Sequence, residues 1–319
     1  MARTLPGTAL AMVLAMALTM ALTVSSACAA AWTERGVASG GLHGVLTLPD
    51  VEARGSGVLI LAGSGPVDRD GNLPGLMNNS LKFLAHALAE RGIVSLRVDK
   101  RGVGSSAAAG GREEDLRFGT FVDDAAAWSA VLKREGRVER LVLLGHSEGA
   151  LVATLVAQRI RPAGLVLLAG AGEPASAVIE RQLKAAGAPE RLQERSREIV
   201  RSLMRGEAVT DVPAELAPLY RSSVQNYLMS WLPLDPAREL ARTDCPILIV
   251  QGTSDLQVSV EDARRLHAAR PSSRLEIVET MNHVLKDAPS ERATNLATYR
   301  DPDRPLSSPL VPAIERFVR

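Results

Sequence analysis

Residues 141–151, L-V-L-L-G-H-S-E-G-A-L, constrain the fold more than any other stretch of the chain. Leu141–Leu144 is an apolar run of strand length, and Leu151–Ile160 continues as a helical run. Between them Gly145 and Gly149 bracket Ser147 in the pattern G-x-S-x-G. A strand that turns sharply into a helix forces the serine backbone into a sparsely populated conformation, so the positions two residues away must lack bulky side chains. The hydroxyl is then pushed clear above the sheet. The backbone N–H of Glu148, opening the helix, points to where an oxyanion would form. The pentapeptide alone occurs by chance in many chains; its weight comes from the strand before, the helix after and the candidate partners downstream.

The same alternation runs through the rest of the chain. Gly41–Leu48 and Gly57–Leu61 read as strands, with a turn at Pro49–Gly55 between them. Asn79–Arg91 suits a helix with Leu81, Leu84, Ala85 and Leu88 on one face, and Ile93–Val98 suits a strand. Thr120–Arg134 suits a second helix with Phe121, Ala125, Trp128 and Leu132 on its buried stripe, and Gly164–Leu168 a further strand. After Gly172 the pattern stops. Glu173–Arg242 is polar and helix-rich, broken by Pro213, Pro218, Pro233 and Pro236, and reads as a cap inserted over the sheet. Alternation resumes with the strand Pro246–Val250, the helix Val260–Ala269, the strand Leu275–Val278 and a closing helix over Pro309–Val318. Near-continuous apolar strands, each followed by a helix, predict an α/β fold with a parallel sheet covered on both faces. Catalytic loops in such sheets gather at the carboxyl ends of the strands.

A chain of 319 residues with 46% hydrophobic residues is long enough for one large core or at most two domains. Its formal charge of +1, with arginines scattered among acids, gives no basic surface for nucleic acid. Aromatic residues make up only 3%, too few for a platform that stacks bases or sugars. Residues 1–31 follow other rules: Arg3, an apolar run over Ala9–Val24, then S-S-A-C-A-A-A. This is the grammar of a cleavable export signal, with the cut after Ala29 or Ala31. A retained membrane anchor is the competing reading, but the run is short for a span and the small-residue tract looks like a peptidase site. Cys28 raises lipid modification as a further alternative, although Ser25-Ser26-Ala27 lacks the leucine such sites usually carry. With Cys28 removed, Cys245 stands alone, so no internal disulfide is expected and Cys245 reads as packed.

A serine nucleophile needs a base, and the base an orienting acid. Of five histidines, His43 falls in the early strand pair, His86 and His267 within helices, and His146 inside the elbow, pointing elsewhere than Ser147. His283, in the loop after the last strand, is the one at a strand's carboxyl end beyond the serine. Asp255 holds the equivalent place after the strand 246–250, whereas Asp244 precedes that strand, Asp262 lies in the next helix and Asp287 beyond the base. The second oxyanion donor is sought in the loop Ala62–Gly71, where small residues admit a carbonyl and Ser64 N–H is the candidate. Asp68, Arg69 and Asp70 are read as holding that loop, and D-K-R-G-V-G-S at 99–105 as bracing its neighbours with charged hydrogen bonds. No His/Cys/carboxylate cluster has metal-ligand spacing.

Together these segments resemble the alpha/beta-hydrolase superfamily over roughly residues 40–319. The specific matches are G-S-G-P-V-D-R-D-G at 63–71, D-K-R-G-V-G-S-S at 99–106, G-H-S-E-G at 145–149, and Q-G-T-S-D with M-N-H near the end. The first and third look like bacterial carboxylesterases of the serine-aminopeptidase-like branch, which also carry a tyrosine-aspartate-proline stretch as at Tyr299–Pro302. The resemblance implies an eight-stranded, mostly parallel sheet and hydrolysis without a cofactor. It assigns nucleophile to Ser147, acid to Asp255, base to His283 and the oxyanion hole to Ser64 and Glu148. The expectation is a secreted serine esterase acting on a small-molecule acyl ester. Its rivals are a thioesterase, an aminopeptidase with Glu173, Glu180 or Glu215 receiving a free amino terminus, and a binding protein on a hydrolase scaffold. Acyl chain length, alcohol group and oligomeric state are not legible in the sequence.

Overall fold

The computed structural model describes residues 32–51 and 54–319. The export signal read in residues 1–31 therefore lies outside the described residues. Eight strands form one sheet: β1 (Trp32–Ser39), β2 (Leu42–Pro49), β3 (Gly55–Leu61), β4 (Val94–Val98), β5 (Val138–His146), β6 (Gly164–Leu168), β7 (Ile247–Gly252) and β8 (Arg274–Val278). Their spatial order is β1-β2-β4-β3-β5-β6-β7-β8. β2 runs antiparallel to both its neighbours, and every pairing from β4 to β8 is parallel.

The helices are α1 (Ser80–Ala89), α2 (Phe118–Lys133), α3 (Glu148–Ile160), α4 (Ala175–Ala185), α5 (Glu190–Met204), α6 (Ala217–Tyr220), α7 (Ser222–Trp231), α8 (Pro236–Ala241), α9 (Val260–Ala269), α10 (Arg292–Ala297) and α11 (Leu310–Val318). Helices α4–α8 form the helical excursion between the adjacent strands β6 and β7.

The apolar runs of the central strands are explained by two cores. Val58 and Ile60 of β3, with Val142 and Leu144 of β5, point to one side and meet Leu81, Leu84 and Leu88 of α1 and Ile314 of α11. Leu59, Leu61, Leu141 and Leu143 point to the other and meet α2 and α3. Because successive side chains alternate faces, a strand covered on both sides must be apolar at every position. The second core extends into α5 and α7 through Ile199, Leu203, Tyr227 and Leu228, so the helical excursion shares the main core.

The expected elements are present, with shifted ends. β5 starts at Val138 and α3 at Glu148, earlier than the apolar runs indicate, because exposed Glu139 and Arg140 extend the strand and buried Glu148 and Gly149 open the helix. On α2 the buried stripe is Phe118, Val122, Ala125, Trp128 and Leu132, leaving Phe121 half-buried. β1 and α10 have no apolar signature: β1 is an edge strand whose residues are half-buried or exposed, turned into β2 through Gly40 and Gly41 at φ 59° and 81°. Only glycine adopts such a pair of values at no steric cost.

This topology fixes where a ligand can sit. From β3 the chain moves outward to β4, then crosses back so that β5 pairs with the opposite side of β3. At such a reversal the loops leaving two neighbouring strands diverge and open a crevice at their carboxyl ends. Here those loops are the one after Leu61 and the one containing Ser147.

Candidate active site

Ser147 occupies the turn between β5 and α3 with φ 56° and ψ −122°, a conformation sparsely populated by residues with a side chain. Strain of this kind costs on the order of 1–3 kcal/mol and persists only where the surroundings over-determine it. Ser147 N–H donates to the Leu168 carbonyl at 2.9 Å, and its own carbonyl accepts from Ala150 N–H at 3.0 Å. The bracketing glycines are required by contact. A Cβ on Gly145 would stand 2.1 Å from the Gly149 carbonyl oxygen, and one on Gly149 2.4 Å from that of Leu61.

Asp255 and His283, from the loops after β7 and β8, meet with His283 Nδ1 2.8 Å from Asp255 Oδ2. The carboxylate side chain is fully buried and the ring nearly so. Burial pushes the Asp255 pKa up, but the neighbouring His283 and the N–H groups of Gln257 and Val258 outweigh it, so the acid is held below its usual range. Those N–H groups donate to Asp255 Oδ1 at 2.8 and 3.0 Å, and Gln251 Nε2 donates to Oδ2 at 3.1 Å. An ionised, fully ligated carboxylate fixes the proton of the neutral ring on Nδ1 and leaves Nε2 as the free base.

Ser147, His283, His146 and Ser64 line one cavity of about 140 Å³, with Val67, Leu73, Leu76, Val284 and Tyr299 among its walls. The serine hydroxyl and the histidine ring share this space without a hydrogen bond between them, a looser arrangement common in apo sites. Ser64 follows Gly63, which lies so close to the nucleophile that a Cβ there would meet Ser147 Cβ at 3.1 Å. Among the described residues neither Ser64 N–H nor Glu148 N–H donates to a protein acceptor, Glu148 being the first residue of its helix. Both donors stand unused beside Ser147.

His146 does more than the sequence indicates. It is turned not away from the site but toward its base loop, with Nε2 2.7 Å from the His283 carbonyl oxygen and the two rings 4.9 Å apart. Since a carbonyl can only accept, Nε2 carries the proton. Burial, reinforced by His283, pulls the His146 pKa down to about 3, so the ring is neutral.

The link between the acid and base loops escapes the sequence reading. Asn295 of α10 donates to the Ser254 carbonyl at 2.8 Å, and its Oδ1 accepts from Asn282 Nδ2 at 3.3 Å, so one side chain ties the acid loop to the base loop. Thr298 accepts from Asn282 at 2.7 Å. Lys100, after β4, braces the neighbouring loop as expected of the 99–105 motif, donating to the carbonyls of Gly63 and Gly65. The loop carboxylates hold the loop, as read: Asp68 Oδ1 accepts Asp70 N–H and Asn72 N–H at 2.9 Å each, and Asp70 pairs with buried Arg97. Asp99 accepts Arg69 N–H at 2.8 Å and Ser105 N–H at 2.9 Å. Cys245 is buried, its thiol pushed up to about 11, and packs rather than reacts.

Sheet order, elbow and the loops at the strand ends define an alpha/beta-hydrolase fold. The model of the serine aminopeptidase S33 family matches residues 75–287, more than half of the chain, and the chain belongs to that family. Esterase EstD of Thermotoga maritima is 27% identical over 261 residues, which cover 80% of this chain and 60% of that protein. The chain thus spans three fifths of the length of that relative. Est1E of Butyrivibrio proteoclasticus, solved with ferulic acid, superposes with a TM-score of 0.54 at 17% identity, over 84% of this chain and 96% of that one. The Pyrococcus furiosus esterase Pf2001 gives 0.53 at 15% identity, over 90% and 91%. These two likenesses establish the shared fold.

Proposed function

We propose that the protein is an exported serine hydrolase that cleaves carboxylic esters of small molecules through an acyl-enzyme, with Ser147 as nucleophile, His283 as base and Asp255 as orienting acid. The observation that carries the reading is the buried Asp255–His283 pair at 2.8 Å opening onto the cavity that holds the strained Ser147. His283 Nε2 takes the Ser147 proton as Oγ attacks the ester carbonyl. The N–H groups of Ser64 and Glu148 receive the oxyanion. Collapse returns the proton from His283 to the departing alkoxide, and a water deprotonated by the same nitrogen releases the acid. The relationship to esterase EstD supports an ester as substrate.

A free amino terminus finds poor support as the substrate's recognition element. The three carboxylates named for it from the sequence are each engaged by arginine: Glu173 by Arg181 at 2.5 Å and Arg265 at 3.0 Å, Glu180 by Arg197 at 3.1 Å, and Glu215 by Arg191 at 2.9 Å. Hydrolysis of matched p-nitrophenyl esters, acyl thioesters and aminoacyl amides separates the alternatives. Esters are expected to give the highest kcat/KM by at least an order of magnitude, with a preference for short acyl groups set by the cavity of about 140 Å³. A preference for aminoacyl amides would reverse the assignment.

A further inference from the structure

The loop carrying the Ser64 donor is held from behind by one cation. Lys100 Nζ donates to the Gly65 carbonyl at 2.6 Å and also to the Gly63 carbonyl. Lys100 faces a different space from the serine, a cavity of about 430 Å³ shared with Gly65, Phe121, Glu148 and Tyr227. Its ammonium lies 5.8 Å from the centre of the Phe121 ring. Glu148, whose backbone is the other oxyanion donor, sends its buried carboxyl into the same region, where it and Lys100 oppose each other's desolvation. The Tyr227 hydroxyl is buried beside the Glu148 carboxyl.

Peptide planarity makes this arrangement directional. In a trans peptide the C=O and the following N–H point in opposite directions. Gly63 C=O and Ser64 N–H belong to one peptide unit, so pinning the carbonyl onto Lys100 turns the N–H to the far side. That side is the cavity containing Ser147, against which Gly63 is packed. A cationic donor on the carbonyl also polarises the peptide and strengthens the N–H at its other end. We infer that Lys100 is a positioning residue for the oxyanion hole: it aims and polarises the Ser64 N–H through the Gly63 carbonyl and, next to Glu148, joins the two halves of the hole. The inference rests on the esterase reading above and adds to it a residue that never touches substrate.

Removing an oxyanion donor outright lowers kcat by roughly 10²–10³. Lys100→Met, which keeps the stem and loses the charge, is therefore expected to lower kcat by about 30-fold or more while KM stays within about threefold. Affinity for an aryl trifluoromethyl ketone, whose adduct with the serine carries the oxyanion, is expected to fall by a similar factor. Lys100→Arg, which keeps a cation with several donors, is expected to recover most of both. Should the methionine variant fail to fold, Lys100→Gln carries the same two ratios. A folded variant with kcat within threefold of wild type, or with kcat lowered but ketone affinity intact, overturns the inference and leaves the esterase reading standing if Ser147→Ala is inactive. Wild-type protein that hydrolyses no ester overturns both.

Discussion

His146 shows how closely a buried titratable group can be bound into the site without sharing its chemistry. In the fold its pKa is near 3, whereas an unfolded histidine titrates near its ordinary value of 6.5. Below pH 6.5 the unfolded chain therefore binds a proton that the folded chain refuses. Stability falls with falling pH until the folded ring titrates near pH 3, by up to about 1.4 kcal/mol per pH unit. His146→Gln keeps an N–H for the His283 carbonyl and removes the titration. The difference in unfolding free energy between pH 7 and pH 5 is expected to shrink by on the order of 2 kcal/mol in the variant, read by urea denaturation at the two pH values. An unchanged difference would contradict the burial of a neutral ring. At this scale the convergence of Ser147, Asp255 and His283 was legible because each follows an apolar strand in the order such sheets use. The bracing by the 99–105 motif was legible too, but not which carbonyls Lys100 reaches, and Asn295 was not, because an asparagine in a short polar helix carries no sign of its partners.

The elements explain how three distant loops stay in register. Asp262 was set aside in the sequence as a residue of the helix beyond the acid. In the structure its buried side chain caps α9, accepting from Ser259 N–H at 2.9 Å and Ser259 Oγ at 2.7 Å. It also accepts Gly172 N–H at 3.1 Å and the Arg181 guanidinium at 2.6 Å, which fastens the start of the helical excursion to α9. Asp262→Ala leaves a buried N–H unpaired and removes one side of the capping box. It is expected to destabilise the protein by about 2–4 kcal/mol, measured by chemical denaturation. A loss below about 0.5 kcal/mol would show that the anchor is dispensable. The sheet was legible because strands buried on both faces must be apolar throughout. β1 was not, since an edge strand facing solvent needs little apolar character, and α10 was not, since six residues show too little periodicity.

Across the whole molecule, the reversal of strand order between β3 and β5 opens the crevice where the loop after β3, the elbow and the Asp255–His283 pair converge. We propose export on the sequence of residues 1–31 alone. The intact mass of the secreted product is expected to correspond to a chain starting after Ala29 or Ala31; a product retaining residue 1 would exclude cleavage. The chemistry has a more direct test. A fluorophosphonate forms a covalent adduct with a serine only when a base activates it and an oxyanion hole receives the phosphoryl oxygen, so it reports the assembled site without any choice of substrate. Peptide mapping of the labelled protein is expected to place a single adduct on Ser147, with labelling slowed by orders of magnitude in His283→Ala. A folded wild-type protein that takes no label, or takes it at another residue, would contradict the account.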